Sequence, residues 1–186
     1  MSHALFADVR PLLSAEQIAT RVRELGAQIS HDYSGLAPML VCILKGSLAF
    51  YTDLSRAIEE PHTWDTMRVS SYHGGTHSSG VVKLNTDVSS SVTGRHVILV
   101  EDIVDSGRTI EALIAHLGAR NPASLKVATL LDKPSRREVV VPVDYCAFSI
   151  PDEFVVGYGL DYGQFFRQLP FVGVMGKIPQ LPLDLE

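Results

Sequence analysis

The chain has 186 residues, 46% of them hydrophobic, and its 16 basic and 21 acidic side chains give a formal charge of -5. That length and apolar content can bury one sizeable core without disulfides or a structural metal. The acidic balance weighs against a general binder of nucleic acid or membrane surfaces, and the apolar runs fall well short of the roughly 20 residues that span a bilayer.

The N-terminal stretch lacks the apolar segment of a secretory signal, so a cytoplasmic protein is expected. Ser14-Ala15-Glu16-Gln17 has the form of a capping box, and Ile18, Val22, Leu25 and Ile29 then recur at helical spacing. Met39 to Leu44 reads as a central strand apolar on both faces, and it carries Cys42. Lys45-Gly46-Ser47 punctuates it, and Ala49, Phe50, Leu54, Ala57 and Ile58 outline a second helix. Leu48, Phe50, Tyr51 and Leu54 on that helix cannot all face one sheet, so part of it is expected to pack on a second subunit near Lys45.

Met67 to Ser70 reads as a strand, followed by a glycine- and hydroxyl-rich loop from Ser71 to Gly80 and a resumed strand from Val81 to Leu84. His73 and His77 in that loop hold no helical register and are not read as a zinc pair. Val97 to Val100 is a buried strand, and Ile110, Leu113, Ile114 and Leu117 form one helix face ending near Gly118. Leu125 to Leu131 supplies another strand. The strand–helix–strand order argues for an α/β architecture, a mostly parallel sheet flanked by helices. From about Val139 the chain turns proline-rich without a long helix, and is expected to form an irregular subdomain over the sheet edge. Cys146 lies there in an apolar stretch; with no partner at motif spacing, both cysteines read as buried free thiols.

Glu101 and Asp102 stand at the C-terminal edge of the Val97–Val100 strand, and Asp105-Ser106-Gly107-Arg108-Thr109 leads from it into a helix. That edge of an open α/β sheet is where ligands bind, and a helix start offers backbone N–H groups to an anion. Acids beside an anion site become reasonable once a divalent metal and a phosphorylated ligand lie between them. In strand geometry, period-2 alternation would aim Glu101 and Asp102 to opposite sides. Asp105 to Thr109 can cradle a dianionic phosphate, with Arg108 free to lie outside. The Gly-x-x-x-x-Gly-Lys-Ser/Thr loop is absent, and Gly157-Tyr158-Gly159 lacks the third glycine of a dinucleotide fingerprint.

The run from Val97 to Ile110 resembles the phosphoribosyl-pyrophosphate signature of the type I phosphoribosyltransferases. With Leu44-Lys45-Gly46-Ser47, Ser70-Ser71-Tyr72, and the segment from Leu131-Asp132-Lys133-Pro134 to Asp161-Tyr162, four blocks in order are similar to the hypoxanthine (hypoxanthine-guanine) branch. The resemblance implies a single phosphoribosyltransferase domain over residues 1–186. Its small hood would come mainly from the segment beyond about 139, with part of the N-terminus. It implies pyrophosphate binding by Lys45, Gly46 and Arg167, with a cis peptide possible at Leu44-Lys45. Glu101 and Asp102 would hold the ribose hydroxyls or metal-bound water, and Asp105 would be catalytic. Asp105, Ser106, Gly107, Arg108 and Thr109 would bind the 5'-phosphate, and Ser71 and Tyr72 would begin a closing loop. Lys133, Phe154 and Val155 would bind the purine, and Asp161 would be a ligand of the cofactor Mg2+. The implied partners are a 6-oxopurine, 5-phosphoribosyl 1-diphosphate and further copies of the chain in a dimer or tetramer, without nucleic acid or membrane. Two alternatives stay open: a preference for xanthine, and a nucleotide-sensing or RNA-binding regulator on the same fold.

Overall fold

The computed structural model describes residues 9–71 and 82–176. Strands are β1 (Val9–Leu13), β2 (Met39–Leu44), β3 (Thr63–Ser71), β4 (Val82–Thr86), β5 (His96–Val104), β6 (Ser124–Asp132), β7 (Tyr145–Ser149), β8 (Val155–Val156) and β9 (Val172–Met175). Helices are α1 (Ala15–Asp32), α2 (Leu48–Ala57) and α3 (Arg108–Gly118). Six strands form the central sheet in the order β4-β3-β2-β5-β6-β7, parallel except for the antiparallel β3–β4 hairpin.

Helix α1 begins where the capping box was expected. Ser14 Oγ accepts from Gln17 N at 3.2 Å and Gln17 Oε1 accepts from Ser14 N at 2.8 Å, satisfying two helix-start donors. Ile18, Val22, Leu25 and Ile29 are all buried. Together with Phe50 and Leu54 of α2 they pack on Ile98 and Val100, while Ile110, Leu113 and Leu117 of α3 pack on Val97 and Leu99. β2 is therefore covered on both faces, and Met39 to Ile43 are buried. Phe50, Tyr51 and Leu54 find their cover within the chain; of the four apolar residues noted on α2, only Leu48 stays exposed, at 51%.

The structure departs from the sequence reading at three places. β3 starts at Thr63, four residues earlier than expected, because an acid, Asp65, takes an inward position in line with Met67. Tyr145–Ser149, placed by sequence in the irregular subdomain, is instead the edge strand of the central sheet, parallel to β6. Arg21 caps this region, donating to the carbonyls of Cys146 and Ala147 at 2.9 and 3.1 Å. Cys146 is only half-buried, whereas Cys42 is buried and its thiol is pushed up to about 11 by burial.

The hood is a three-stranded antiparallel sheet, β1-β9-β8, joining both ends of the described chain. Among the described residues, no helix is long and apolar enough to cross a membrane.

Candidate active site

Parallel strands β2, β5 and β6 end at one edge of the sheet, so Lys45, the Glu101–Asp105 run and Lys133 meet there although far apart in sequence. The loop after β2 approaches this edge closely. A Cβ on Gly46 would lie 1.6 Å from Asp102 Oδ2, and one on Gly159 would lie 2.0 Å from the Gly46 carbonyl oxygen. Glycine is required at 46 because an acid from β5 and a hood turn close on the same backbone. The Leu44–Lys45 peptide is cis. Lys45 is exposed, and its Nζ donates to Gln164 Oε1 at 3.4 Å.

The acid pair does not diverge as alternation alone would have it. Ile98 and Val100 belong to one core cluster and Val97 and Leu99 to the other, yet Ile103 falls with Ile98 and Val100. The two-residue period thus slips across Glu101 and Asp102, and their side chains come within hydrogen-bonding reach of each other. Burial, then the neighbouring charge of Asp102, holds the Glu101 carboxyl well above the usual carboxylate range. Burial also pushes Asp102 up, against the pull of Glu101, its own bond from Ile103 N at 2.8 Å, and the Arg167 charge. Glu101 Oε2 is buried and has no hydrogen-bond partner among the described residues.

The turn after β5 is shaped as an anion cradle. Gly107 caps α3 at φ 89, a left-handed conformation, and a Cβ there would lie 2.5 Å from the Val139 carbonyl. Among the described residues, no acceptor takes the N–H groups of Gly107, Thr109 or Ile110. Ser106 Oγ accepts from Arg108 N at 3.4 Å, and Arg108 turns its side chain away to Glu138 at 2.7 Å. Asp105 is half-exposed and pairs with Arg136 at 3.2 Å.

The hood closes the other side. Lys133 is buried and donates to the Glu153 carbonyl at 2.7 Å. Phe154 is 46% exposed, its ring 5.8 Å from Tyr162 in an edge-to-face contact, and the neighbouring Val155 is buried in the β8–β9 ladder. Asp161 Oδ1 pairs with Arg167 Nη2 at 2.7 Å and its Oδ2 accepts from Gln164 N at 2.8 Å. Arg167 also donates to the Gly159 carbonyl at 2.7 Å. Of the closing loop, Ser71 ends β3, and Tyr72 lies outside the described residues, as do His73 and His77.

Three participants escaped the sequence reading. Gln164 bridges Lys45 and Arg167, Gly159 seats against Gly46, and Arg137 donates to the Asp105 carbonyl at 2.6 Å. Only Gly159 carries a signal in the sequence, as the second glycine of Gly157-Tyr158-Gly159.

No cluster of three or more His, Cys, Asp or Glu that could hold a metal by itself occurs among the described residues. Asp161, with Arg167 as its one ion-pair partner among the described residues, offers carboxylate oxygens of the kind magnesium takes, and magnesium is held by one or two carboxylates together with substrate phosphates rather than by a protein cage.

Known proteins resemble this chain over most of its length. The phosphoribosyl transferase domain family matches residues 9–163. A hypoxanthine-guanine phosphoribosyltransferase of Streptococcus pneumoniae is 50% identical over 164 residues, covering 88% of this chain and 91% of that protein. A hypoxanthine phosphoribosyltransferase of Salmonella typhimurium is 48% identical, covering 89% and 94%. The crystal structure of a hypoxanthine phosphoribosyltransferase from Staphylococcus aureus superimposes with a TM-score of 0.89 at 43% identity, covering 95% of this chain and 96% of that one. The chain therefore belongs to the phosphoribosyl transferase family, in its hypoxanthine-guanine branch.

Proposed function

We propose that this chain salvages 6-oxopurines, joining hypoxanthine or guanine to 5-phosphoribosyl 1-diphosphate to give IMP or GMP and diphosphate. The observation that carries the reading is the meeting of three separate segments at one sheet edge: the Lys45-Gly46 loop, the run that carries both the acid pair and the open amide cradle, and Lys133 at the end of β6 against the hood. The catalytic unit is taken to span residues 1–186, with its hood drawn from both ends of the chain.

In the reaction, the bond from C1 of the ribose to the diphosphate oxygen breaks and a bond from C1 to purine N9 forms. Lys45, the Gly46 backbone and Arg167 receive the departing diphosphate. The free N–H groups of the Asp105–Thr109 turn and the start of α3 bind the 5'-phosphate. Asp102 and Glu101 fix the ribose hydroxyls beside the carbon that gains positive character. Asp105 accepts the N7 proton as N9 attacks. Lys133 spends one donor on Glu153 and keeps two for the purine 6-oxygen. An ammonium has no acceptor for an amino group, so adenine is disfavoured. Phe154 offers a ring for stacking, and the Val155 backbone lies at the purine edge. Magnesium, with Asp161 as its protein ligand, would neutralise and orient the diphosphate.

The test is diphosphate release with hypoxanthine, guanine, xanthine and adenine in turn. Release with the first two is expected. Release with xanthine alone would select the xanthine enzyme, and none with any base would select the regulator.

The enzyme is taken to act as a dimer or tetramer. The exposed Leu48 lines a cleft of about 550 Å³ together with Lys45 and Arg167, where a second copy would bear on the diphosphate side. A fully active monomer in sedimentation equilibrium at micromolar concentration would sink this arrangement and spare the chemistry.

A further inference from the structure

We infer that Arg136 is a positioning residue for Asp105, fixing one carboxylate oxygen and leaving the other to the purine. The inference rests on the reading of Asp105 as the N7 proton acceptor.

Arg136 ends the short 3₁₀ turn Pro134–Arg136 that follows Lys133, and its own N–H returns to the Lys133 carbonyl at 3.0 Å. Its Nε donates to Asp105 Oδ1 at 3.2 Å, and Asp152 Oδ1 of the hood lies 3.7 Å away. No partner takes Asp105 Oδ2 among the described residues. A half-exposed carboxylate without an anchor would turn about its terminal torsion, which is broad and two-fold. The guanidinium removes that freedom and selects Oδ2 as the proton acceptor.

The next three residues hold the backbone beneath. Arg137 Nη1 donates to the Asp105 carbonyl at 2.6 Å while Nη2 pairs with Asp132. The N–H groups of Glu138 and Val139 reach the Ser106 carbonyl at 2.9 and 3.1 Å. Across the trans Ser106–Gly107 peptide, a carbonyl drawn toward this segment turns the Gly107 N–H the opposite way, toward the anion cradle. One segment continuous with the base-recognising Lys133 therefore aligns both the carboxylate and the phosphate amides. Stability is a poor explanation for the Arg136 contact, because an ion pair exposed this far adds little to folding.

The experiment is a double-mutant cycle on steady-state kinetics with hypoxanthine. Arg136→Ala is expected to lower kcat about five-fold, the scale of one exposed charge pair, with the KM for 5-phosphoribosyl 1-diphosphate within about two-fold. Arg136→Lys should recover most of the loss. In an Asp105→Asn background, Arg136→Ala should change nothing further, because its effect passes through the carboxylate. An equal fall in both backgrounds, or none in either, overturns the inference. Slow Asp105→Asn with unimpaired Arg136→Ala would leave the catalytic reading standing and remove this one. Near-normal Asp105→Asn would remove both.

Discussion

Asp65 on β3 and Glu101 on β5 are equally buried, at 8% exposure each, on strands separated only by β2, and their surroundings could hardly differ more. Asp65 accepts from Thr66 N at 2.8 Å, from Ser89 N and Oγ at 3.0 Å each and from Ser90 N at 3.0 Å. Burial pushes its carboxyl up, but those four donors outweigh burial and hold it below the usual carboxylate range. Glu101 faces another acid, leaves Oε2 without a donor among the described residues, and is held well above that range. A buried acid whose lone pairs are all used holds a turn in place. One left short of donors is a feature that folding alone does not explain, and it supports the proposal that a ligand supplies the missing partners at Glu101.

The comparison breaks most readily on the site side. Asp105→Asn keeps the shape of the side chain and removes its basicity, so kcat should fall about 10²–10⁴-fold while donor affinity changes little. Turnover close to the parent's would leave Asp105 a structural part. Lys133→Ala comes next: kcat/KM for hypoxanthine and guanine should fall together, by roughly 10- to 100-fold for a lost charged donor. Their ratio should stay constant because both bases present the same 6-oxygen, and a changed ratio would move base choice elsewhere.

The two buried acids themselves give smaller and opposite effects. Asp65→Asn should cost about 1–3 kcal/mol in urea unfolding, since it strands backbone donors, with kcat within about two-fold of the parent. Glu101→Gln should leave the unliganded fold as stable or slightly more so, yet slow the reaction. Equal destabilisation by both variants would erase the distinction between them.

The smallest effect is in pH. Asp65 is held below the ordinary value of 3.8, so it contributes stability that is present above that value and is lost as pH falls through the lower folded value. The unfolding gap between the parent and Asp65→Asn should be flat from neutrality to about pH 4 and should narrow below it. A gap that widens on acidification would reverse the assignment.

Much of the site was legible where neighbours in sequence do the work. Ser14 and Gln17 form their capping box across three residues, and Asp105 to Thr109 form the cradle within one turn. The start of β3 is hidden in the sequence because Asp65 looks polar in isolation; its donors Ser89 and Ser90 stand 24 and 25 residues away. A still longer separation hides the roles of Arg136 and Arg137, which reach Asp105 across 31 and 32 residues. The five-residue run Val9–Leu13 shows no period that would mark it as a hood strand, and β9 at the far end of the described chain gives it a partner.

By itself the sequence determined the alternation of elements, the buried strands, and the acid pair followed by a glycine turn at a helix start, because hydrophobic period, capping and turn chemistry act over a few residues. The tertiary structure decided which edges meet. It turned Glu101 and Asp102 toward each other, pressed Gly46 between Asp102 and Gly159, gave β7 to the central sheet and left Leu48 uncovered. Those outcomes depend on parallel strands ending at a common edge and on burial that only a closed core creates, and neither is a property of a residue and its sequence neighbours.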